Sequence, residues 1–189
     1  HFKESDQTHL VLGFRAFPVS DERRYVLEVL SDILGGGMSS RLFQKIREEM
    51  GAAYYVGSSA SLYSDHGEIS MSAGIDHKKI RDVIGAAMQE FARLKEKQVP
   101  EEELKRAKDH LIGNLYLSLE TSDQLGYFYG GQEVMGLPLK TPEELAKNLN
   151  AVSAEDIRRL AKELFAPESL NLALIGPFKN KSFLDILTI

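Results

Sequence analysis

The sequence predicts an α+β fold in which helices cover one face of an antiparallel β-sheet. Two stretches, 8–17 and 68–75, alternate apolar and polar residues with the period of a half-buried strand. The predicted order is one strand, two helices, a β-hairpin, a run of helices and a final strand. This order lacks the regular strand–helix alternation of βαβ units, so it favours an antiparallel sheet with its helices on one side.

The first strand and the first helix are predicted from a change in hydrophobic period. Within 8–17, one face of the strand carries Leu10, Leu12, Phe14 and Ala16. Between 21 and 34 the period becomes helical, with an apolar stripe of Val26, Val29, Leu30, Ile33 and Leu34. Three consecutive glycines at 35–37 then end the helix.

A short helix and a hairpin follow the glycines. Ser39 or Ser40 can cap a helix whose apolar face carries Leu42, Phe43, Ile46 and Met50. Segment 54–63 has the composition of a strand, and a polar turn at 64–67 joins it to the alternating segment 68–75.

The second half of the chain is predicted to be mostly helical. Asp76 is a suitable N-cap, and Pro100 is expected at the first position of the next helix, with Glu101 to Glu103 in its first turn. The predicted helices cover about 77–97, 100–119, 122–135, 142–150 and 153–165. A last strand is indicated by the alternation of Leu170, Leu172 and Leu174.

Composition places the chain among globular domains. Its 189 residues, with 43% hydrophobic and 27% charged residues, predict a single domain over 1–189. A net charge of −5 and the lack of long apolar runs argue against nucleic-acid and membrane partners. The absence of cysteine excludes disulfides and fits a cytoplasmic protein. Because strand patterning begins close to His1, we expect the chain to be part of a longer polypeptide, with any targeting signal upstream.

The glycine run and the histidines do not indicate a cofactor site. The glycines follow a helix and are not accompanied by a suitably placed lysine, so a helix-to-helix turn is favoured over a phosphate-binding loop. No histidines are spaced as zinc ligands, so no metal site is predicted within this chain. A Ser-His-Asp arrangement assembled in space stays open, although no nucleophile-elbow sequence supports it. The histidines are His1, His9, His66, His77 and His110.

Arg47 and Tyr54 are the candidate site residues. Arg47 lies near the end of the short helix, and Tyr54 opens the strand that follows seven residues later. An arginine fork and a phenol at this spacing can converge on a peptide carbonyl or a developing oxyanion. The spacing alone favours a solvated helix arginine and an ordinary strand aromatic over this functional role.

Residues 34–56, with the order Arg47, Gly51, Tyr54, resemble the second half of the pitrilysin and mitochondrial-processing-peptidase family of zinc metallopeptidases (M16-like inverzincins). Segment 151–177 resembles the closing helix and strand of that family. The H-x-x-E-H zinc helix of the family is absent from this chain. The resemblance therefore identifies the chain as the C-terminal, non-zinc-binding half-domain of such an enzyme.

The resemblance implies a zinc-dependent endopeptidase that cleaves peptides or small unfolded polypeptides in a closed chamber. It implies that Arg47 and Tyr54 contact substrate carbonyls or the oxyanion, that zinc is a cofactor of the assembled enzyme, and that this chain alone is inactive. The expected partners are the zinc-binding half, in the same polypeptide or in another subunit, and a peptide substrate; a dimer is compatible with this reading. Two alternatives stay open, namely a non-catalytic structural or regulatory subunit of the family and an unrelated α+β small-ligand module.

Overall fold

The computed structural model describes residues 1–179 and 182–187, and these residues form four strands and six α-helices. The strands are β1 (Thr8–Ala16), β2 (Ala53–Leu62), β3 (Gly67–Ile75) and β4 (Leu170–Ile175). The helices are α1 (Arg24–Gly35), α2 (Ile80–Glu96), α3 (Glu101–Leu117), α4 (Ser122–Val134), α5 (Pro142–Ala151) and α6 (Ala154–Leu164). A π-helix covers Phe43–Glu49, and three short 3₁₀ turns cover His77–Lys79, Pro167–Ser169 and Leu184–Ile186.

The strands form one antiparallel sheet in the order β2-β3-β1-β4. The central pair aligns Thr8 with Ile75 and Ala16 with Gly67. At one edge the first residues pair with the end of β4, because the amide of Lys3 donates to the carbonyl of Gly176 at 2.9 Å. The predicted α+β class and antiparallel sheet are confirmed.

Helices cover only one face of this sheet, as predicted. On β1 and β3 the covered positions include Leu10, Leu12 and Phe14, together with Ile69, Met71 and Ala73, and all six are buried. Their neighbours along each strand point to the other face, which none of the described helices covers. The alternation seen in the sequence therefore separates a core face from an open face.

Three phenylalanines join the layers at the centre of the core. Phe14 of β1 lies edge-to-face on Phe91 of α2, with ring centroids 5.1 Å apart. Phe165, just after α6, contacts both rings, at 4.8 Å from Phe14 and 4.9 Å from Phe91. All three side chains are fully buried. The central strand is thus fixed to two helices that are far apart in sequence.

Side-chain caps set most of the predicted helix starts. Asp76 accepts from the amide of Lys78, and Thr141 and Ser153 begin α5 and α6 with reciprocal capping boxes. Two predictions were displaced. The helix α1 begins at Arg24 and not at residue 21, and Pro100 precedes α3 as its N-cap instead of opening it.

The segment after α1 differs from the prediction in its winding and its cap. The predicted α-helix is a π-helix from Phe43 to Glu49. Ser40 does not cap it, because its hydroxyl donates to the carbonyl of Gly37 at 2.5 Å within the preceding turn. The three glycines do form a helix-to-helix turn. Glycine is required at position 35 because α1 packs closely on β2 there, and a Cβ would lie 2.3 Å from the backbone nitrogen of Ser58.

A groove between α1, α3 and the segment 132–149 contains the acidic side chain of Glu28. Its volume is about 480 Å³, and its wall includes Leu111, Leu115 and Glu28. No hydrogen bond or ion pair to the Glu28 carboxylate occurs among the described residues. Burial raises the pKa of Glu28, and the charge of Arg24 offsets this only in part.

Among the described residues, no helix has the length and apolar composition needed to cross a bilayer.

The phenylalanine contact predicts that Phe14→Ala strongly destabilises the fold. The substitution leaves a cavity between Phe91 and Phe165, so we expect a loss of about 3–5 kcal/mol in unfolding free energy, measured by urea titration. Val11→Ala is the matched control because Val11 lies on the same strand but on the open face, with 41% of its surface exposed. Equal losses for the two variants would contradict this description of the core.

The groove predicts that Glu28 makes stability depend on pH. The folded-state pKa of Glu28 lies above the ordinary value of 4.5. Between these two pKa values the folded protein binds more protons than the unfolded chain, so the unfolding free energy falls as the pH rises from one to the other. Glu28→Gln should remove this slope and raise the unfolding free energy at pH 7 by roughly 0.5–2 kcal/mol. The exposed Glu168→Gln serves as the control and should change neither quantity. A drop in stability for Glu28→Gln would show that the carboxylate has a stabilising partner.

Candidate functional site

The open face of the sheet is a surface of small and polar side chains. Register places Ser59, Ser70 and Gly13 side by side across three strands, and Ser72 beside Val11. A shallow groove of about 680 Å³ crosses this face between β3, β1 and β4. Small side chains leave the strands accessible along much of their length. The face can therefore receive an extended chain without rearrangement of the core.

Arg47 lies on the exposed side of the π-helix, close to the start of β2. The amide of Met50 donates to Lys45, five residues back, at 3.1 Å, and the amide of Ala52 donates to Ile46 at 2.9 Å. The second bond closes the loop between the helix and the strand, so Arg47 is held beside the first residues of β2. Its guanidinium lies 5.1 Å from the centre of the Phe43 ring. No acceptor for its N–H groups occurs in the described part of the chain.

The turn between Arg47 and β2 depends on Gly51 and Lys79. Gly51 has a φ of +50°, in the left-handed region that favours glycine, although a Cβ there would meet no neighbouring atom. The ammonium of Lys79 donates to the carbonyls of Met50 and Gly51 at 2.9 and 3.2 Å. The glycine thus serves backbone conformation, and the lysine fixes the turn against the start of α2.

Tyr54 occupies a β-bulge at the start of β2. Ala53 is paired with Ile75 and Tyr55 with Gly74, so Tyr54 has no opposite residue on β3. Tyr54 and Tyr55 are both exposed, which interrupts the alternation of the strand. The phenol of Tyr54 has no hydrogen-bond partner among the described residues, and 63% of the residue surface is accessible. Bulges commonly redirect a side chain beside a functional site.

Tyr55 and His9 add polar groups at the same end of the sheet, and the sequence did not single them out. His9 Nδ1 and the Tyr55 hydroxyl are 3.0 Å apart, and the rings are stacked. Alternation alone places His9 on the face of β1 opposite to that of Leu10. The strand pairing is also needed to bring His9 and Tyr55 together across Gly74, and that pairing is not visible in the sequence.

An ionic cluster anchors the helix that carries Arg47. Both oxygens of Glu103 on α3 accept from Arg41, each at 2.8 Å, and Glu90 on α2 lies 3.7 Å from the same guanidinium. Glu90 is buried and also accepts from Arg93 at 2.5 Å. Burial alone would lower the pKa of Arg41, but Glu103 and Glu90 outweigh it, and the pKa is raised. The cluster fixes the beginning of the π-helix to two helices of the core.

The described residues do not form a donor set that fits zinc. No three His, Asp, Glu or Cys side chains within them are grouped as metal ligands. His110 bonds to Asp32 at 2.7 Å, His66 to Asp65 at 2.6 Å, and His77 to Thr8 at 2.7 Å. Burial raises the pKa of Asp32, while its bond to His110 acts in the opposite direction. These pairs tie neighbouring parts of the fold together.

Comparison with known proteins identifies relatives over almost the whole chain. The zinc protease YmxG of Bacillus subtilis, described as uncharacterized, is 39% identical over 178 residues, covering 94% of this chain and 43% of the relative. An uncharacterized zinc protease of Rickettsia felis is 38% identical over 188 residues, covering 96% and 44%. The chain therefore spans less than half the length of the curated relatives it matches.

Solved structures have the same fold at low sequence identity. The crystal structure of a peptidase M16 inactive domain from Pseudomonas fluorescens matches with a TM-score of 0.84 and 20% identity, covering 96% of this chain and 43% of that one. A chain of Complex III2 from Candida albicans, with Inz-5 bound, matches with a TM-score of 0.85 and 16% identity, covering 98% and 47%. These two likenesses concern the fold.

A family model described as the peptidase M16 inactive domain matches residues 1–111. That range is more than half of the chain and contains β1, β2, β3, the π-helix and the bulge. This chain belongs to the peptidase M16 family and corresponds to its inactive domain.

Proposed function

We propose that this chain is the substrate-contacting half of a zinc-dependent endopeptidase, in which Arg47 and Tyr54 bind carbonyl oxygens of the peptide. The observation that supports this most directly is that two exposed donors, Arg47 on the π-helix and Tyr54 at the start of β2, have no acceptor among the described residues. The relatives named as zinc proteases are more than twice as long as this chain. The chain supplies one wall of the site and the remainder supplies the zinc-binding wall.

The chemistry suits the two side chains. A guanidinium offers a planar fork of N–H donors that stays protonated, and a phenol offers one O–H. Both stabilise negative charge that develops on a carbonyl oxygen when water attacks a peptide bond. Zinc held by the other half would supply the activated water for that attack. Within this chain, Arg47 and Tyr54 hold the oxygen, while Arg41, Gly51 and Lys79 hold the donors in place.

The open face suits a peptide substrate. Its serines and glycines leave space for an extended backbone, and the cross-strand positions of Arg15 and Glu68 put both charge signs at the end far from Tyr54. Two halves closing on a peptide would exclude water from the donors. Their electrostatic effect is larger in such an environment than in bulk solvent.

A structural or regulatory subunit with the same fold is the second candidate. Such a subunit has no need of free donors at Arg47 and Tyr54, so their exposure without hydrogen-bond acceptors among the described residues favours the catalytic proposal. Family membership rules out the unrelated small-ligand module. Kinetics of the full-length protein separates the two remaining functions.

Tyr54→Phe and Arg47→Lys in the full-length protein should each lower kcat/KM by about 10²–10³-fold, as loss of one oxyanion donor commonly does. Zinc content should be unchanged because neither residue contacts the metal. If the donors serve only substrate binding, KM rises and kcat is retained. The measurements are peptide cleavage and metal analysis on the same preparations.

Tyr63→Phe and Arg159→Lys are the matched controls. Tyr63 is 49% exposed and lies just beyond the opposite end of β2, and Arg159 lies on α6, in the helical layer. Both variants should retain wild-type kinetics. An active enzyme in which the Arg47 and Tyr54 variants also behave as wild type would refute their proposed role.

A further inference from the structure

The segment 113–135, the end of α3 together with α4, exposes an unusually apolar surface. Tyr127 is 83% exposed, Val134 86% and Leu117 65%. No residue of α4 is buried. Aromatic and aliphatic side chains account for much of the segment, and a concentration of exposed apolar side chains is typical of an interaction site.

The helix α4 is poorly supported by this chain. It makes only marginal contacts with the other helices and strands that the structure describes. Its interior includes Gly126, Gly130 and Gly131, each of which costs about 1 kcal/mol of helix stability relative to alanine. A helix of 13 residues is marginal in isolation even with good helix formers. We infer that burial against another surface supplies the missing stabilisation.

The glycines of this segment leave room for that surface. A Cβ added at Gly113, Gly126, Gly130 or Gly131 would meet no atom within 4 Å. Packing within the described chain therefore does not require glycine at these positions. Gly126 and Gly130 are four residues apart and share a helix face, beside exposed aromatic rings. Another helix can approach closely at such a face.

Charge and chain length indicate what covers the segment. Its charged residues are all acidic, Glu120, Asp123 and Glu133. A second copy would bring six carboxylates together without a cation, and an anionic membrane surface would repel the segment. The relatives, in contrast, contain more than half their length outside the region that this chain matches.

The groove that contains Glu28 continues this surface. Five of its lining residues, Asn114, Leu115, Ser118, Gln132 and Leu137, belong to the segment or follow it closely. An apolar side chain from a partner can enter the groove beside α4. The partner surface that fits is therefore helical and apolar, with basic residues at its edge.

We propose that segment 113–135 is the surface on which the zinc-binding half of the full-length protein docks, through an apolar helical contact with a basic rim. The inference rests on the proposed function for the identity of the partner. It assigns the contact to α4 and the end of α3, away from the Arg47 and Tyr54 donors.

Cysteine labelling of the full-length protein tests the proposal. This chain has no cysteine of its own, so Tyr127→Cys and Val134→Cys each introduce one thiol into it. Lys105→Cys is the matched control, because Lys105 lies earlier on α3 and its side chain is 74% exposed. Maleimide labelling is followed by peptide mapping, and each rate is compared with that in urea. Positions 127 and 134 should label at least about tenfold more slowly than position 105.

Two outcomes overturn the proposal. Equal labelling at all three positions would show that the segment stays exposed in the full-length protein. Protection that disappears on dilution would show that a second copy covers it. The labelling result is independent of catalysis. If positions 127 and 134 are protected from labelling while the Arg47 and Tyr54 variants keep wild-type kinetics, docking is supported and the catalytic role of these two residues is rejected. If the two cysteines are labelled rapidly while the Arg47 and Tyr54 variants lose activity, docking alone is rejected.

Discussion

The structure depends on one constraint, which is that the sheet is buried on one side only. The contact among Phe14, Phe91 and Phe165 fixes the central strand to α2 and to the end of α6, and other buried residues extend this core across the helical layer. Because the core needs only one face of each strand, the opposite face is free to carry small and polar residues at little cost to stability. The site is therefore built on a rigid support without taking residues from it.

The candidate donors are connected to that support by polar contacts. Arg41 links the start of the π-helix that carries Arg47 to Glu103 and Glu90. Lys79 closes the turn at Gly51 that leads to Tyr54. Buried ionic contacts of this kind contribute little net stability, because desolvation offsets much of their attraction. Their value here is geometric, since they restrict the orientation of a short segment that Leu42 and Ile46 also hold to the core. The outer helix α4 is the opposite case, with regular geometry and almost no anchoring to the rest of the chain.

Periodicity predicted the parts of the fold in which burial decides the conformation. The alternation around Leu10, Leu12 and Phe14 located the central strand, and polar N-cap residues located most helix starts. The site was predicted less completely. The residue order of Arg47, Gly51 and Tyr54 indicated a functional segment through resemblance, but the π-winding and the bulge depend on backbone hydrogen bonds that periodicity does not encode. Long-range partners such as Arg41 with Glu103, or His9 with Tyr55, require the strand register and helix packing.

The π-helix and the β-bulge share a geometric origin. Each is the form that a regular element takes when it accommodates one additional residue. One residue rotates a helical position by about 100°, and one residue reverses the side on which a strand residue points. The directions of Arg47 and Tyr54 can therefore be reset separately by single-residue insertions or deletions, while Ile46 and Val56 stay in the core. Single-residue changes in the length of this segment should therefore alter the directions of the two candidate donors more than many substitutions would.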